Sequence, residues 1–570
     1  MRTISIGKQG FVSMREENCF YIDKTDFIRE WWEAKDDVTL ITRPRRFGKT
    51  LNISMLECFF SNKYAGRHDL FEGLSIWNRE EYKKLQGTYP VIFLSFANVK
   101  GKNSKELRQG IVEAVAELYH QHTYLLKEDT LSSDEKTNFF AFSEYSNGTR
   151  NYEELSDTTI AHGIKRMSMY LERHFQKKVL IFLDEYDTPM QEAYIHKCWE
   201  EIAEFTRSLF NATFKTNPYL ERGIMTGITR VSKESIFSDL NNLKVITTTS
   251  ENYATAFGFT EKEVFASLEE AGMSGEQEQV KKWYDGFCFG SENDIYNPWS
   301  ITNLLDEKEY KPYWAAASSN ALVNNLIRTG NISIKKHMED LLKGKSIHTE
   351  IDEQIVFESL EYNEQAVWSL LLAGGYLKVK KYTRHPRTLQ KQYELVLTNF
   401  EVELMFESLI REWFGKSEGS YNDFIKSLLK GNTEEMNYYM NQVAMTTFCH
   451  FDTGKHPSGQ MEPERFYHGF ILGLLVECRD SYDIYSNRES GFDRYDILMK
   501  PLQKNLPAII IEFKVHNPKK ESSLADTVKA ALQQIHDKAY DTELFATGIP
   551  KEQIRYYGFA FVGKQVLIGE

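Results

Sequence analysis

The sequence contains a glycine, a lysine and a threonine in the order that binds nucleotide phosphates. Gly48-Lys49-Thr50 separates an apolar, β-branched run at 38–42 from a helical pattern of apolar residues at 51–60. Backbone amides at the start of such a helix point toward an anion, the lysine ammonium reaches the phosphates, and the hydroxyl holds Mg²⁺. The first glycine of the pattern G-x-x-x-x-G-K-[ST] is replaced by Arg43, so the loop taken alone is a weakened signal.

A second motif further along the chain strengthens this interpretation. An apolar run at 180–183 ends in Asp184-Glu185. The carboxyl end of a parallel strand lies beside the phosphate loop. Asp184 is therefore predicted to hold Mg²⁺, and Glu185 to orient or deprotonate the water that attacks ATP. The alternative is that both segments are ordinary helix N-termini.

Four further residues are candidates for contact with the nucleotide. Thr229 and Arg230 follow a later apolar run at 223–228, where a polar residue can sense the γ-phosphate. Arg45 and Arg46 lie in the loop itself and could contact phosphate. An ordinary turn or a solvated loop is an equal alternative for each of them.

A carboxylate and an ammonium share one face of a very apolar strand near the C terminus. In the segment IIIEFKV at 509–515, the strand alternation places Glu512 and Lys514 on the same face. Asp496 lies on an upstream strand that can pair with this one as a hairpin. Asp496 and Glu512 are predicted to bind one or two Mg²⁺ or Mn²⁺ ions, and Lys514 to activate the attacking water and stabilise charge on phosphorus. The alternative is an edge-strand salt bridge.

Five residues on neighbouring segments could assist this second site. Gln534 and Lys538 are four residues apart, as are Glu464 and His468, so each pair is predicted to share a helix face. Tyr540 follows the first pair. These side chains could contact phosphate or orient the metal ligands, and packing or surface roles are equal alternatives.

The elements that must position these residues place the chain in the α/β class. Apolar strands at 38–42, 91–96, 179–183 and 223–228 alternate with helical stretches over 1–260, which predicts a parallel-sheet domain. Residues 261–450 are mainly helical in pattern. Residues 451–570 read as an α/β/α module whose predicted elements are a helix around 464–477, strands at 482–485, 495–499 and 508–515, a turn-rich joint at 486–491, a helix at 524–541 and a strand at 556–562.

The composition limits which partners and which cellular compartment can be expected for this chain. The 570 residues carry a formal charge of −13, so the chain does not coat nucleic acid through bulk charge, although a local basic groove is compatible with this balance. The six cysteines show no pairing or metal spacing, and we expect reduced thiols. No signal peptide or membrane-length apolar run is visible. A cytoplasmic protein that does not contact membranes is expected.

The motifs resemble those of a known family. The N-terminal half resembles the bacterial AAA-ATPase-like proteins of the P-loop superfamily, and the C-terminal part looks like the PD-(D/E)XK nuclease domain that these proteins carry. The first resemblance rests on YIDKT at 21–25, RPRRFGKT at 43–50, LDEYDTP at 183–189, WYDG at 283–286 and YNPWSI at 296–301. The second rests on FYHGF at 466–470, SNRESG at 486–491 and IEFK at 511–514.

The resemblance bears on two departures from the motifs. It implies that the missing first glycine is usual in this family, so that Arg43 does not count against nucleotide binding. Tyr495 precedes Asp496 where the nuclease superfamily often has proline, and this difference is tolerable because proline is not a ligand.

The resulting hypothesis is an ATP-regulated, metal-dependent nuclease that acts on nucleic acid, with DNA the first expectation. The resemblance is consistent with a role in phage defence or mobile-element biology, and with a homo-oligomer. Contacts with nucleic acid are expected near Arg488, Arg494, Lys514 and Lys538. The alternative is a signalling or scaffold ATPase whose nuclease-like domain binds nucleic acid or a partner without cleaving. A DNA motor is a third possibility, but the middle region lacks a clear winged-helix or recognition-helix signal.

Overall fold

The computed structural model describes most of the chain. The described residues are 2–127, 130–143, 155–230, 237, 240–317, 321–329, 332–342, 344–352, 359–360, 363–384, 387, 391–414, 418–447, 471, 475, 478, 481–490, 493–503, 506–562 and 565–570. Among them, no helix combines the length and the apolar character needed to cross a membrane. The five cysteines in these ranges are free thiols.

The chain divides into two compact units. The first unit comprises Met1–Leu326 and Gly344–Glu403, and the second comprises Ile327–Lys343 and Leu404–Glu570. The predicted middle region, 261–450, is therefore shared between the two units. The division into three domains drawn from the sequence stays a prediction.

A five-stranded parallel sheet forms the centre of the first unit, in the order β2-β3-β4-β1-β5. Its strands are β1 (Val38–Thr42), β2 (Val91–Ser95), β3 (Val179–Asp184), β4 (Leu220–Gly227) and β5 (Leu243–Ile246). Strands β1 and β3 are buried along their whole length, as expected when helices cover both faces of a parallel sheet. The predicted parallel sheet is confirmed. Strand β5 was missed because four residues are too few to show a period.

Ten helices of the first unit accompany this sheet. They are α1 (Phe11–Glu16), α2 (Asp26–Ala34), α3 (Lys49–Phe60), α4 (Glu80–Leu85), α5 (Ser104–Gln121), α6 (Ser133–Ser143), α7 (Asp157–Ala161), α8 (Gly163–Phe175), α9 (Thr188–Ile195) and α10 (Trp199–Phe210). Aromatic side chains fill the core on one face, where the Trp31 ring meets those of Phe60 and Phe182 edge to face. This packing fixes α2 and α3 on the sheet.

The segment that follows is mostly helical, as predicted, but it also forms two small antiparallel sheets with the orders β6-β8-β7 and β10-β11-β9. Its elements are β6 (Phe259–Thr260), α11 (Glu261–Glu270), α12 (Gln277–Tyr284), β7 (Phe287–Phe289), β8 (Glu292–Tyr296), α13 (Pro298–Glu307), α14 (Tyr313–Ala317), α15 (Ala321–Thr329), α16 (Ile332–Leu342), β9 (Ile347–Glu350), α17 (Glu364–Ala373), β10 (Leu377–Arg384), β11 (Lys391–Leu397) and α18 (Phe400–Phe414).

A five-stranded mixed sheet forms the second unit, in the order β12-β13-β14-β15-β16. Among the strand pairs that the structure describes in this sheet, only β14 and β15 are parallel, and α21 and α22 lie between them in sequence. The elements are α19 (Glu418–Lys430), α20 (Thr433–Thr447), β12 (Tyr482–Ser490), β13 (Asp493–Pro501), β14 (Ala508–Val515), α21 (Leu524–Asp537), α22 (Thr542–Ala546), β15 (Ile554–Val562) and β16 (Gln565–Gly569).

Two of the predictions for the second unit concern the segments 464–477 and 486–491. The turn expected at 486–491 was wrong for residues 486–490, which extend β12 and pair with β13. Strand β12 is an edge strand, and a polar sequence can pair there because an edge strand need not be buried on both sides. The helix predicted around 464–477 lies almost entirely outside the described residues.

Candidate active sites

The phosphate loop of the first unit connects β1 to α3. Arg46 and Gly48 both have left-handed backbone, with φ of 63° and 77°. Such turns let successive N–H groups converge on an anion. A Cβ at residue 48 would meet no atom within 4 Å, so the glycine is required there for its backbone angle rather than for space. The loop and the start of α3 thus have the form of an anion site.

Lys49 is buried, and its ammonium group is bonded within the loop. Its Nζ donates to the carbonyl oxygens of Arg43 (3.0 Å) and Pro44 (2.8 Å). Burial lowers the pKa of Lys49, although Glu185 and Asp184 act in the opposite direction. The ammonium is held at the place where phosphate would arrive, and neutral carbonyls are partners that a phosphate can replace.

Asp184 is the last residue of β3 and is fully buried. Its Oδ2 accepts a hydrogen bond from Thr50 Oγ1 (2.6 Å), and its Oδ1 accepts one from Thr226 Oγ1. Burial raises the pKa of Asp184, while these two hydroxyl groups lower it. The structure therefore brings the predicted pair Thr50 and Asp184 into direct contact. Thr226 is a third member that sequence reasoning missed, although it lies in the apolar run at 223–228 that predicted β4.

Two more carboxylates, those of Glu185 and Asp187, follow directly after β3. Glu185 has a left-handed φ of 50° and accepts a hydrogen bond from Thr188 Oγ1 (3.2 Å). Asp187 is buried, and its Oδ2 accepts from the Thr229 amide and hydroxyl (both 2.8 Å) and from the Ile228 amide (3.0 Å). Thr229 therefore joins the end of β4 to the Asp187 carboxylate. Its predicted contact with the γ-phosphate, like that of the partly buried Arg230, stays a prediction.

Arg43 fixes the start of the loop. Its guanidinium is fully buried and donates to the carbonyls of Thr42 (2.9 Å) and Thr247 (2.8 Å). It also lies 4.5 Å from the centre of the Phe289 ring. Burial lowers its pKa to about 9. The residue that replaces the first glycine thus anchors the loop to the segment after β5 through hydrogen bonds and a cation–π contact.

The other two loop arginines contact protein groups in this structure. Arg45 Nη2 donates to Gln191 Oε1 (3.3 Å), and the exposed Arg46 guanidinium lies 4.3 Å from the centre of the Trp299 ring. The Arg45 carbonyl accepts hydrogen bonds from Trp314 Nε1 (3.0 Å) and from an asparagine before α13. The middle region therefore holds the phosphate loop directly, and phosphate contacts by the two arginines stay predictions.

The site of the second unit lies where β13 and β14 separate. Their ladder ends at the pair Ile497 and Ile511, so that Asp496 and Glu512 are the next opposite residues. In place of the next backbone bond, Asp496 Oδ2 accepts the Phe513 amide (2.8 Å). Residues opposite each other on antiparallel strands share a face. The two predicted carboxylates therefore lie on one face at the open end of the hairpin.

Gln534 of α21 connects two of the predicted catalytic residues. Its Oε1 accepts a hydrogen bond from Lys514 Nζ (2.6 Å), and its Nε2 donates to Glu512 Oε1. The same Nε2 contacts the hydroxyl of the buried Tyr540 (3.3 Å). Glu512 itself is only 4% exposed. The four side chains thus form one hydrogen-bonded set on the face of the sheet that α21 covers.

Gly558 explains how α21 comes close enough to place Gln534 there. It is the neighbour of Glu512 on β15. A Cβ at this glycine would lie 2.8 Å from the Val528 carbonyl oxygen and 3.1 Å from Ala531 Cβ, both on α21. A side chain at this position would push the helix off the sheet, so the small residue sets the distance between helix and catalytic strand.

Of the remaining residues predicted for the second site, the structure places Lys538 at the end of α21, and the others or their side chains lie outside the part of the chain that it describes. Lys538 is the residue after α21, and its amide donates to the Gln534 carbonyl (3.0 Å). Glu464 and His468 lie outside the described residues, so their predicted roles stay predictions. Arg488 and Arg494 belong to β12 and β13, but their side chains are not among those described.

Both sites offer donors that suit a hard divalent cation. Mg²⁺ and Mn²⁺ prefer carboxylate and hydroxyl oxygens. In the first unit, the Thr50 hydroxyl oxygen lies 2.6 Å from a carboxylate oxygen of Asp184. In the second unit, Asp496 and Glu512 offer two carboxylates on one face of the sheet. The residues present therefore fit the ion that each site is predicted to bind.

Comparisons with known proteins match the two candidate sites to two different families. Residues 5–237 match a family model described as predicted AAA-ATPase, and residues 462–570 match one described as PD-(D/E)XK nuclease superfamily. The chain is also 25% identical, over 559 residues, to a protein of Azotobacter chroococcum mcd 1 described as "Uncharacterized protein in vnfD 5'region". That similarity covers 96% of this chain and 95% of the relative. The chain therefore combines an AAA-ATPase-like domain with a C-terminal domain of the PD-(D/E)XK nuclease superfamily.

Proposed function

We propose that the chain hydrolyses ATP in its first unit and cleaves phosphodiester bonds of nucleic acid, DNA first of all, in its second unit. The observation that carries the proposal is the assembled set in the second unit: Lys514 is hydrogen-bonded through Gln534 to Glu512, on the face that Asp496 shares. A strand of this apolar character has no structural need for a buried glutamate and a half-buried lysine on one face.

In the first unit, the chain's own groups would act on ATP as follows. The amides at the start of α3 bind the phosphates, and Lys49 exchanges its carbonyl partners for phosphate oxygens. Thr50 and Asp184 would hold Mg²⁺, which when bound neutralises charge on the β- and γ-phosphates. Glu185 orients the attacking water or accepts its proton. Asp187 and Thr226 keep the ends of β3 and β4 in register.

In the second unit, Asp496 and Glu512 would hold the metal. A bound Mg²⁺ or Mn²⁺ polarises the scissile phosphate and acidifies a water molecule. Lys514 places its ammonium beside the developing charge on phosphorus. Gln534 fixes that ammonium and one oxygen of Glu512 at the same time, so it positions the catalytic pair without touching the substrate.

A cleavage assay tests this proposal. Wild type, Lys49→Ala and Lys514→Ala would be incubated with single- and double-stranded DNA and RNA, with Mg²⁺ or Mn²⁺, with and without ATP. We expect Lys514→Ala to lose cleavage and retain ATP turnover, and Lys49→Ala to lose ATP turnover. If wild type turns over ATP but cuts none of the four substrates, the scaffold alternative replaces the nuclease. Phage defence, mobile-element biology and homo-oligomerisation stay predictions.

A further inference from the structure

A strongly basic pair of antiparallel strands belongs to the first unit. We use the name basic hairpin for β10, β11 and the residues between them in sequence, 377–397. It carries six basic residues and one acidic residue, a formal charge of +5 in a chain whose total is −13. The basic residues are Lys378, Lys380, Lys381, Arg384, Arg387 and Lys391. Such local charge of the opposite sign to the whole chain is an electrostatic footprint for an anionic partner.

A β-bulge concentrates the positive charge on one side of the basic hairpin. The register shifts between Val379 and Lys381, so that Lys380 and Lys381 both oppose Glu394. Their Nζ atoms lie 2.9 and 3.0 Å from the two oxygens of that carboxylate. The two lysines hold the pKa of Glu394 at about 2. One nearly buried carboxylate thus orders two lysine side chains that are 58% and 66% exposed.

The other side of the basic hairpin combines tyrosine rings with positive charge. Tyr382 is 50% exposed, and its ring centre lies 5.8 Å from that of Tyr393, directly opposite. Lys391 Nζ lies 4.9 Å from the centre of the Tyr382 ring. Arg384 and Lys391 face each other at the tip. Like charges in opposite positions destabilise a hairpin, and an anion bound beside this pair would relieve their repulsion.

We propose that the basic hairpin binds single-stranded nucleic acid. A polynucleotide supplies what both sides need, because its phosphates neutralise a row of lysines and arginines while a base stacks on an exposed tyrosine. Tyr382 gives stacking area beside charges, which a purely electrostatic contact with an acidic protein or a lipid surface would not require. Phosphate contacts and stacking on a tyrosine ring are possible with any base, so little sequence preference is expected.

This inference is independent of catalysis at either proposed site. Binding to the basic hairpin needs neither ATP nor metal, so it can be measured with EDTA present, where cleavage is excluded. Failure of the nuclease proposal would leave the expected binding unchanged.

The experiment measures fluorescence anisotropy of labelled oligonucleotides of about 20 nucleotides, single- and double-stranded, over a salt series. The full-length variants are Lys380→Gln with Lys381→Gln, and Tyr382→Ala. The matched control is Lys83→Gln with Lys84→Gln, an adjacent lysine pair on α4. ATP turnover without nucleic acid is expected to be the same in all of them, which verifies the fold.

The double lysine variant is expected to weaken single-strand binding about tenfold. It should also reduce the slope of log Kd against log salt by about 1.4, the value for two lost phosphate contacts on a single strand. Tyr382→Ala is expected to weaken binding about tenfold with an unchanged slope, and the α4 control should match wild type. The proposal is overturned if the hairpin variants bind single strands as wild type does, or if they lose no more affinity than the control.

Discussion

The two candidate sites each place a carboxylate at the end of a strand, but they are assembled over very different distances along the chain. In the first unit, Asp184 is bonded to residues 134 and 42 positions away. In the second unit, the bonds of Asp496, Glu512 and Lys514 span only 17 to 22 positions. The proposed ATP site therefore requires the order of a whole parallel sheet, whereas the proposed nuclease site needs one hairpin and the helix that follows it.

This difference has a physical consequence for how each site responds to change. Parallel strands bring together groups that are distant in sequence, so the ATP site depends on every crossover between them. The nuclease set is built from neighbouring elements and depends most on how closely α21 packs. We therefore expect its weakest points to be local contacts such as that of Gln534.

The largest effect is expected from Asp184→Asn, which keeps the shape of the side chain but removes its charge. Metal binding beside Thr50 should fail, and ATP turnover should fall on the order of 10³-fold, measured as phosphate release. Thr226→Ser retains the hydroxyl that bonds Asp184 and serves as the control with near wild-type turnover. Substantial turnover in Asp184→Asn would show that this carboxylate is not the metal ligand.

Asp496→Asn tests the second site in the same manner. An asparagine oxygen can still accept the Phe513 amide, so the fold should persist while cleavage falls on the order of 10³-fold. Asp496→Ala also removes the acceptor and should cost a further 1 kcal/mol or so, about the value of one hydrogen bond, in the free energy of unfolding. Cleavage and thermal unfolding are measured together. Equal cleavage by wild type and Asp496→Asn would contradict the assignment.

Glu401, in the first turn of α18, adds a pH dependence to the first unit. It is fully buried and accepts hydrogen bonds from Ser300 Oγ (2.9 Å) and the Trp314 amide (2.6 Å). Burial raises its pKa from 4.5 to about 7. The folded state therefore retains a proton that the unfolded chain releases, and stability should fall by roughly 3 kcal/mol as the pH rises through this interval.

Glu401→Gln should remove this pH dependence because glutamine has no proton to lose. We expect the variant and wild type to unfold at similar urea concentrations near about pH 5, and the variant to be the more stable near about pH 8. Tryptophan fluorescence follows the unfolding. A difference between the two proteins that does not change with pH would contradict the prediction.

Gln534→Ala should have the smallest effect of the four. It frees Lys514 and Glu512 from their common partner without removing a metal ligand, so cleavage is expected to fall about 10–100-fold. The fall should lie mainly in kcat, because substrate contacts are unchanged. Gln533→Ala is the matched control, since this neighbouring exposed side chain bonds only Asp537 among the contacts described. A loss as large as that of Asp496→Asn would mean that Gln534 acts directly in the reaction.

Much of the fold could be predicted from local pattern. The apolar strands β1 to β4 and β14 were identified because each is a buried run bounded by polar residues. The extension of β12 through 486–490 was not, because its pairing at the sheet edge overrides a sequence typical of turns. The basic hairpin was also missed, since lysines on an exposed strand resemble any solvated surface.

The sequence by itself determined the chemical groups and those relations that depend only on local geometry. Strand alternation placed Glu512 and Lys514 on one face, and the loop before α3 placed Lys49 and Thr50 at a helix start. Only the tertiary structure decided that Thr226 donates a hydrogen bond to Asp184 and that Glu394 forms ion pairs with two lysines. The reason is that periodicity is a property of neighbouring residues, whereas these partners are fixed by strand order and register.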